Sequence, residues 1–480
     1  METEPLSIEK SVDKRRAIVF KNRFKDKAGP GIPEKYLRKT PPNLPGMSEL
    51  DVIRHFTRLS KLNYSVDSNF YPLGSCTMKY NPKINEDIAG FDEFANLHPL
   101  ADDSSAQGTL EFLHRFEQML IELCGMSAFT LQPAAGAHGE FTGIMIAKKY
   151  FKTNGAGQRN EIIIPDSAHG TNPATASMLG FNLINIKSGG DGRIDIQTLK
   201  NTLNRKTAVV MLTIPNTLGI FESGIESIVK ISHEAGALVY MDGANFNALT
   251  GILKPGMLGI DIMHLNMHKT FSTPHGGGGP GAGAVGVGEK LKGFLPVPRI
   301  KQENGMYGLD FNLPDSIGRV KSFFGNTGVL LKAYSYLLMH SVQELAQIAE
   351  NAVINANYVK ENLARLYPPY SKERCMHECV LQPHPNLLKN GIRTIDIAKR
   401  LLDYGFYAPT IYFPLIVPEA IMIEPTETES KETLDKFIEA MKKIYQESVE
   451  TPETVKNAPH TMPVKRLDEV EAARKPNLRW

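Results

Sequence analysis

From about residue 105 onward, short apolar runs alternate with amphipathic stretches. The runs SAFTLQP, EIIIPD, NLINI, TAVVMLTIP, ALVYMDGAN, DIMHLN and AGAVGVG are bounded by Gly, Pro, Asn or Asp, the pattern of short buried strands. Between them GEFTGIMIAKKYFK, DIQTLKNTLNRK and GIESIVKISHEAG repeat apolar residues at helical spacing. Strand after helix after strand predicts an α/β fold, a mainly parallel sheet with helices on both faces. Ahead of it, PGIP, TPPNLPG, YPLG and YNP break residues 1–100, which are expected to be an extended arm with short helices such as SELDVIRHFTRLSKLN, lying across a neighbouring chain. One long helical pattern over roughly 327–366 leads into HECVLQP, IDIAKRLLDYG, IMIEPTE and ETLDKFIEAMKKIYQ, a strand and helix mixture. The expected division is an arm over 1–100, a large domain over 101–330, a smaller C-terminal α/β domain with its linking helix over 331–450, and a polar, partly ordered tail over 451–480.

Composition narrows the function classes. A chain of 480 residues is large enough for two cores, and 42% hydrophobic with 22% charged residues is ordinary for a soluble globular protein. Mean hydropathy of -0.23 and the lack of an apolar run near 18 residues argue against a membrane partner. Lys+Arg 54 against Asp+Glu 52 leaves +2, without the basic footprint of a nucleic-acid partner. METEPLSIEKSVDKRRAIVFKNR lacks the apolar stretch of a signal peptide, so a cytoplasmic location is expected. Four cysteines, Cys76, Cys124, Cys375 and Cys379, fit a reducing compartment. Cys375-Met-His-Glu-Cys379 has no second ligand pair and HECVLQ alternates like a strand, so no metal is expected. Cys76, in YPLGSCTMKYN, reads as a loop thiol with no base beside it in sequence.

In a parallel sheet, ligands bind beyond the carboxyl ends of the strands. Gly136 and His138, Asn216, Asp242 and Lys269 all follow such ends. Lys269, in HLNMHKTFSTPHGGGGPG, precedes its glycines, whereas a phosphate-binding P-loop lysine follows them. A lysine that forms a Schiff base with pyridoxal 5'-phosphate explains the placement better. Asp242 ends an apolar strand and could hold the pyridine nitrogen protonated; a turn or helix cap is the local alternative. QPAAGAHGE runs from a strand into a helix through Ala134, Ala135, Gly136 and Ala137, small residues that let backbone N–H groups approach a phosphate. His138 could stack on the ring or be a satisfied core histidine; Asn216 could donate to the phenolic oxygen or lead a turn. His169 and Thr171, in HGTNPATAS, mark another active-site turn. Ala244 and His268, beside Asp242 and Lys269, complete the candidate cofactor contacts, and HGGGGPG is expected to be a flexible turn admitting a phosphate or a neighbouring chain.

Taken together, YPLGSCTMKYN, QPAAGAHGE, DSAHGTNPATA, IPNTLGIFE, MDGANFNA, LNMHKTFSTPHGGGGPG and IEPTETESKETLD resemble the glycine dehydrogenase (decarboxylating) family, the P-protein of the glycine cleavage system. The resemblance implies the fold type I pyridoxal-phosphate architecture, with Lys269 as Schiff-base lysine, Asp242 at the pyridine nitrogen and His138 stacked on the ring. It also implies that glycine is decarboxylated and its aminomethyl group passes to the lipoyl arm of the H-protein; His169 is the candidate for assisting proton movement or binding the carboxylate. In the long form of the family two related halves share one polypeptide, and these motifs belong to the C-terminal half. A homologous subunit 1 and an α2β2 assembly are therefore expected. The residues taken alone leave open an aminotransferase, a hydroxymethyltransferase-like enzyme, or a non-catalytic subunit with a degenerate site.

Overall fold

The computed structural model describes residues 3–19, 32–40, 42–276 and 281–476. Its centre is a seven-stranded sheet in the order β1-β7-β6-β5-β4-β2-β3. The strands are β1 (Ala128–Thr130), β2 (Glu161–Pro165), β3 (Asn182–Ile186), β4 (Thr207–Thr213), β5 (Leu238–Gly243), β6 (Ile262–Asn266) and β7 (Gly283–Val287). β2 to β6 pair in parallel, while β7 runs antiparallel between β6 and β1. The active strand ends of β1, β2, β4, β5 and β6 therefore share one edge of the sheet.

The sheet is covered on both faces, which is why β4 and β5 read as unbroken apolar runs. Val210, Leu212, Val239 and Met241 join one core with Phe116 and Leu120, while Val209, Met211, Leu238 and Tyr240 join the other with Ile144 and Ala147. This is the two-residue side-chain period of a strand. The helix Gly136–Thr153 lies close on the second face because Gly143 has no side chain: a Cβ there would come 2.6 Å from Tyr240 Cε2.

The smaller unit is an antiparallel sheet of β10 (Cys379–Leu381), β12 (Ile421–Ile423) and β11 (Thr410–Ile411), backed by the helices Val342–Leu363, Thr394–Asp403 and Lys431–Glu450. Its core includes Phe70 from the N-terminal segment and Val455 from beyond residue 450. Leu73 bridges Ile423, so the stretch around residues 70–73 packs into this unit. The helix Pro452–Lys456 carries buried Val455, and Ala458 is buried too, so order continues past residue 451; residues 477–480 lie outside the described residues.

Two features depart from the sequence reading. The single helix expected over 327–366 is two, Thr327–Leu338 and Val342–Leu363, because Ser341 and Glu344 form a capping box that starts the second. A ribbon of β8 (Arg299–Glu303) and β9 (Met306–Asp310), turning at Asn304-Gly305, was not anticipated. Among the described residues no helix is long and apolar enough to cross a membrane.

Residues 70–81 thread the seam between the two units. There Lys79, with 1% of its side chain exposed, donates to Glu427 Oε1 at 2.9 Å, Asn247 Oδ1 at 2.9 Å and Tyr336 OH at 3.2 Å. It thereby ties the arm to both units. Lys79→Ala leaves Glu427 buried without its cation and is expected to cost about 3–5 kcal/mol in guanidinium unfolding. A loss below about 1 kcal/mol, typical of an exposed pair, would rule out this role.

Candidate active site

A cavity of about 320 Å³ opens at the shared strand edge. Lys269, 6% exposed, sits in the single turn Met267–Thr270 that follows β6. Its Nζ donates to the carbonyl of Ser75 at 2.7 Å. Asp242, at the end of β5, is fully buried; Oδ1 accepts from the Ala244 N–H at 2.9 Å and Oδ2 from Asn172 Nδ2 at 3.0 Å. His264 Nε2 lies 3.3 Å from Oδ1, and Tyr240 OH meets His264 Nδ1 at 2.8 Å. Burial pushes the Asp242 carboxyl up, but His264, His169 and the donors from Asn172 and Ala244 together hold it below the usual carboxylate range.

A second carboxylate, which the sequence reading did not single out, stands beside it. Glu140 accepts from Thr171 Oγ1, from Asn172 Nδ2 at 2.9 Å and from Thr175 Oγ1 at 3.3 Å. Burial, then the neighbouring Asp242, raise it to about 7. Asn172 thus bridges the two acids and keeps them apart in charge. Glu140 was legible in retrospect: it lies four residues after Gly136, on the same helix face. His264 likewise lies two residues before Asn266, on the same strand face.

Of the ten residues singled out from sequence, eight line the cavity: Ala135, Gly136, His169, Thr171, Asp242, Ala244, His268 and Lys269. His138 does not. Its Nδ1 accepts from the Ala134 N–H at 3.1 Å, because helical rotation carries the third residue of the helix away from the face shared by Gly136 and Glu140. Four other imidazoles line the cavity, His169, His264, His268 and His275, and His169 Nδ1 is 2.8 Å from Thr171 Oγ1. Asn216 is also elsewhere: Nδ2 donates to Gly192 O at 2.8 Å, and Oδ1 accepts from the N–H groups of Leu218 and Ile220. It serves the turn. Of the glycine-rich turn, residues 277–280 lie outside the described residues.

The cavity's unused donors and acceptors define what fits it. The helix Gly136–Thr153 starts at an extended Ala135 with no side-chain cap, so its first N–H groups meet the cavity. A Cβ on Gly136 would collide with Asn266 at 2.4 Å. Ser75 Oγ, Asn266 Oδ1 and His268 Nδ1 are buried and have no partner among the described residues. An anion-binding helix end, a buried ionised carboxylate and a primary amine in one cavity match the phosphate, ring nitrogen and aldehyde of pyridoxal phosphate.

The fold and this donor set define the class of fold type I pyridoxal-phosphate-dependent enzymes. The family model described as aminotransferase class-V matches residues 140–296. Among solved structures, glycine decarboxylase (P-protein) of the glycine cleavage system in inhibitor-bound form aligns with TM-score 0.73 at 20% identity, over 86% of this chain and 93% of that one. A NifS-like protein aligns at TM-score 0.60 and 16% identity, over 79% of this chain and 99% of that one; both likenesses concern the fold. A second family model, glycine dehydrogenase, C-terminal domain, matches residues 348–465. A probable glycine dehydrogenase (decarboxylating) subunit 2 from Kosmotoga olearia is 54% identical over 474 residues, 98% of each chain. Its counterpart in Pyrococcus abyssi is 56% identical over 453 residues, 94% of this chain and 90% of the relative. The chain belongs to the glycine dehydrogenase (decarboxylating) subunit 2 family.

Glu140 makes stability depend on pH. With its folded-state ionisation raised to about 7 from 4.5, the protonated form favours the fold. That contribution is complete below about pH 4.5 and disappears as pH rises through about 7. Glu378, also raised to about 7 by burial, adds the same sign. Glu140→Gln is expected to flatten the fall in Tm of the cofactor-free protein across this window, followed by scanning calorimetry. An unchanged slope would show that Glu140 is ionised throughout.

Proposed function

We propose that the protein binds pyridoxal phosphate, decarboxylates glycine and passes the aminomethyl group to the lipoyl arm of an H-protein. The observation that carries this reading is the convergence of Lys269, Asp242 and the uncapped helix end on one cavity. Near-full-length identity to relatives described as glycine dehydrogenase (decarboxylating) subunit 2 selects glycine over the substrates of aminotransferases or hydroxymethyltransferase-like enzymes.

When bound, the cofactor supplies an electron sink for the pair released as the carboxylate leaves. The chain's own residues do the rest. Lys269 would provide the amine that anchors the aldehyde, and Asp242, ionised and shut from water, would keep a proton on the ring nitrogen. The N–H groups following Ala135, with His268 beside them, would hold the phosphate. His169, which lines the cavity where His138 does not, would be the imidazole available to the ring; burial pushes it toward the neutral form, so it would pack there without adding charge. Asn172 orients Asp242, and the flanking Glu140 holds a proton near neutrality.

The relatives' designation as subunit 2 implies a companion subunit 1. We take the assembly to be α2β2 in the cytoplasm, with the arm as part of the interface. The helix Glu49–Ser60 supports this by exposing Leu50, Ile53 and Phe56, a stripe at three-residue spacing.

Lys269→Ala is expected to abolish borohydride-fixed cofactor and exchange of glycine's carboxyl carbon with bicarbonate; cofactor found on any other lysine by mass spectrometry would overturn the assignment. Asp242→Asn should retain cofactor yet lose about 100-fold or more in exchange, because a neutral amide cannot hold the ring proton. Near wild-type exchange would remove Asp242 from the role. Sedimentation of the chain alone and with its companion tests the assembly: full activity in a homodimer would refute the two-subunit reading.

A further inference from the structure

Behind Lys269 lies a second group of buried acids, contributed by the small unit. Glu378 directly precedes β10 and Glu424 directly follows β12. The antiparallel register sets Cys379 against Ile423, which brings the two glutamates to the same end of the pair. His377, Glu378 and Glu424 are at most 1% exposed, and one potential ligand atom from each lies within 4.8 Å of the others. The segment around Ser75 joins them to the lysine: the Ser75 N–H donates to Glu378 Oε2 at 2.6 Å, while its carbonyl accepts from Lys269 Nζ at 2.7 Å. Thr77 Oγ1 donates to Glu424 Oε1. Ser75 is held in the left-handed region at φ 63°, a conformation that costs a residue with a side chain. Both ring nitrogens of His377, Glu424 Oε2 and Ser75 Oγ are buried and have no partner among the described residues.

The charges here form one unit. Two carboxylates this close and shut from water cannot both stay ionised without a cation. The cation that faces both is Lys269. Lys79 is committed to Glu427, which also faces Glu424. Among the described residues nearby, Lys360 faces Cys375 and Cys379 and donates to the Glu373 carbonyl, while burial drives His169, His264, His268 and His275 toward neutrality and holds His377 at about 3. The thiols of Cys76, Cys375 and Cys379 are pushed up by burial and stay neutral. Asp242, across the cavity, is satisfied by His264 and Asn172. When Lys269 is bonded to the cofactor, the acids face no free ammonium.

We propose that Glu378 and Glu424 are the proton store of Lys269. When the substrate's amino group displaces the lysine, a carboxylic O–H of the pair breaks and an N–H forms on Lys269, whose ammonium then rests on the Ser75 carbonyl as seen here. When the lysine bonds the cofactor again, the proton returns to the pair. No electrons are transferred, and total charge in the buried unit is unchanged. Burial raises Glu378 to about 7 and Glu424 well above the usual range, consistent with a pair that keeps a proton near neutrality.

The proposal rests on the cofactor reading above, and the experiment separates the two. Glycine is added to the cofactor-loaded chain with its companion subunit while visible absorption and difference infrared spectra are recorded. The expected result is a change in visible absorption together with the loss of one protonated-carboxyl band. That band shifts when the protein carries 13C-glutamate, and it is absent in Glu378→Gln/Glu424→Gln. Glu140 also holds a proton near neutrality, so the labelled wild type is read beside Glu140→Gln, in which the band is expected to persist whether or not the double variant folds; its loss there overturns the assignment to the pair. A visible change with no glutamate band, or with the band intact in the double variant, overturns the proton store and leaves the cofactor reading standing. Failure of the protein to take up pyridoxal phosphate or to respond to glycine overturns both.

Discussion

An ionised carboxylate with no access to water is the constraint around which this molecule is arranged. Removing Asp242 from solvent is costly unless donors replace the lost hydration, and each replacement must come from a different part of the chain. Asn172 arrives from the helix after β2, the Ala244 N–H from the turn after β5, and His264 from β6 with Tyr240 behind it. These groups converge only if β2, β4, β5 and β6 run parallel and end at one edge. The close helix Gly136–Thr153, admitted by Gly143, then brings Glu140 against the same carboxylate, and repulsion between the two acids keeps one charged and the other near its protonation point.

The segment at residues 70–81 extends that arrangement across the molecule. Phe70 completes the core of the small unit, Leu73 bridges its sheet, Ser75 holds Lys269 and Lys79 neutralises Glu427. What resembles an arm from its prolines is, over this stretch, the shared wall of both units. Glycine at position 74 is part of the fit, since a Cβ there would meet Met422 at 2.2 Å. Chemistry on the large sheet and packing in the small domain are therefore joined through a dozen residues that pack against both.

Several departures from the sequence reading share a cause. HSVQE reads as a continuation of a helix when only apolar spacing is followed, yet Ser341 and Glu344 satisfy the free N–H groups of a new one. His138 and His169 sit in similar small-residue turns, and both suggest a ring beside a cofactor. Three residues into a helix, His138 is rotated toward the Ala134 backbone, whereas His169 precedes its helix and stays at the cavity. Asn216 turns its Oδ1 to the N–H groups of its own turn and its Nδ2 to the Gly192 carbonyl.

The sequence by itself determined the alternating α/β pattern, the strand ends that carry Asp242 and Lys269, and the small-residue entry to the helix at Gly136. These follow from local rules: side-chain period, turn chemistry and the chain's reach between neighbouring elements. It also carried the family resemblance, because motifs of that kind are written contiguously. Only the tertiary structure decided that Glu140, His264 and Asn172 surround Asp242, and that Glu378 and Glu424 meet behind Lys269. Those meetings depend on helix phase, on the register of β10 against β12, and on a segment 194 residues from Lys269 along the chain being drawn into the seam. A residue's spacing in sequence carries no record of which side of a distant element it will face; packing settles that when the charges are buried together.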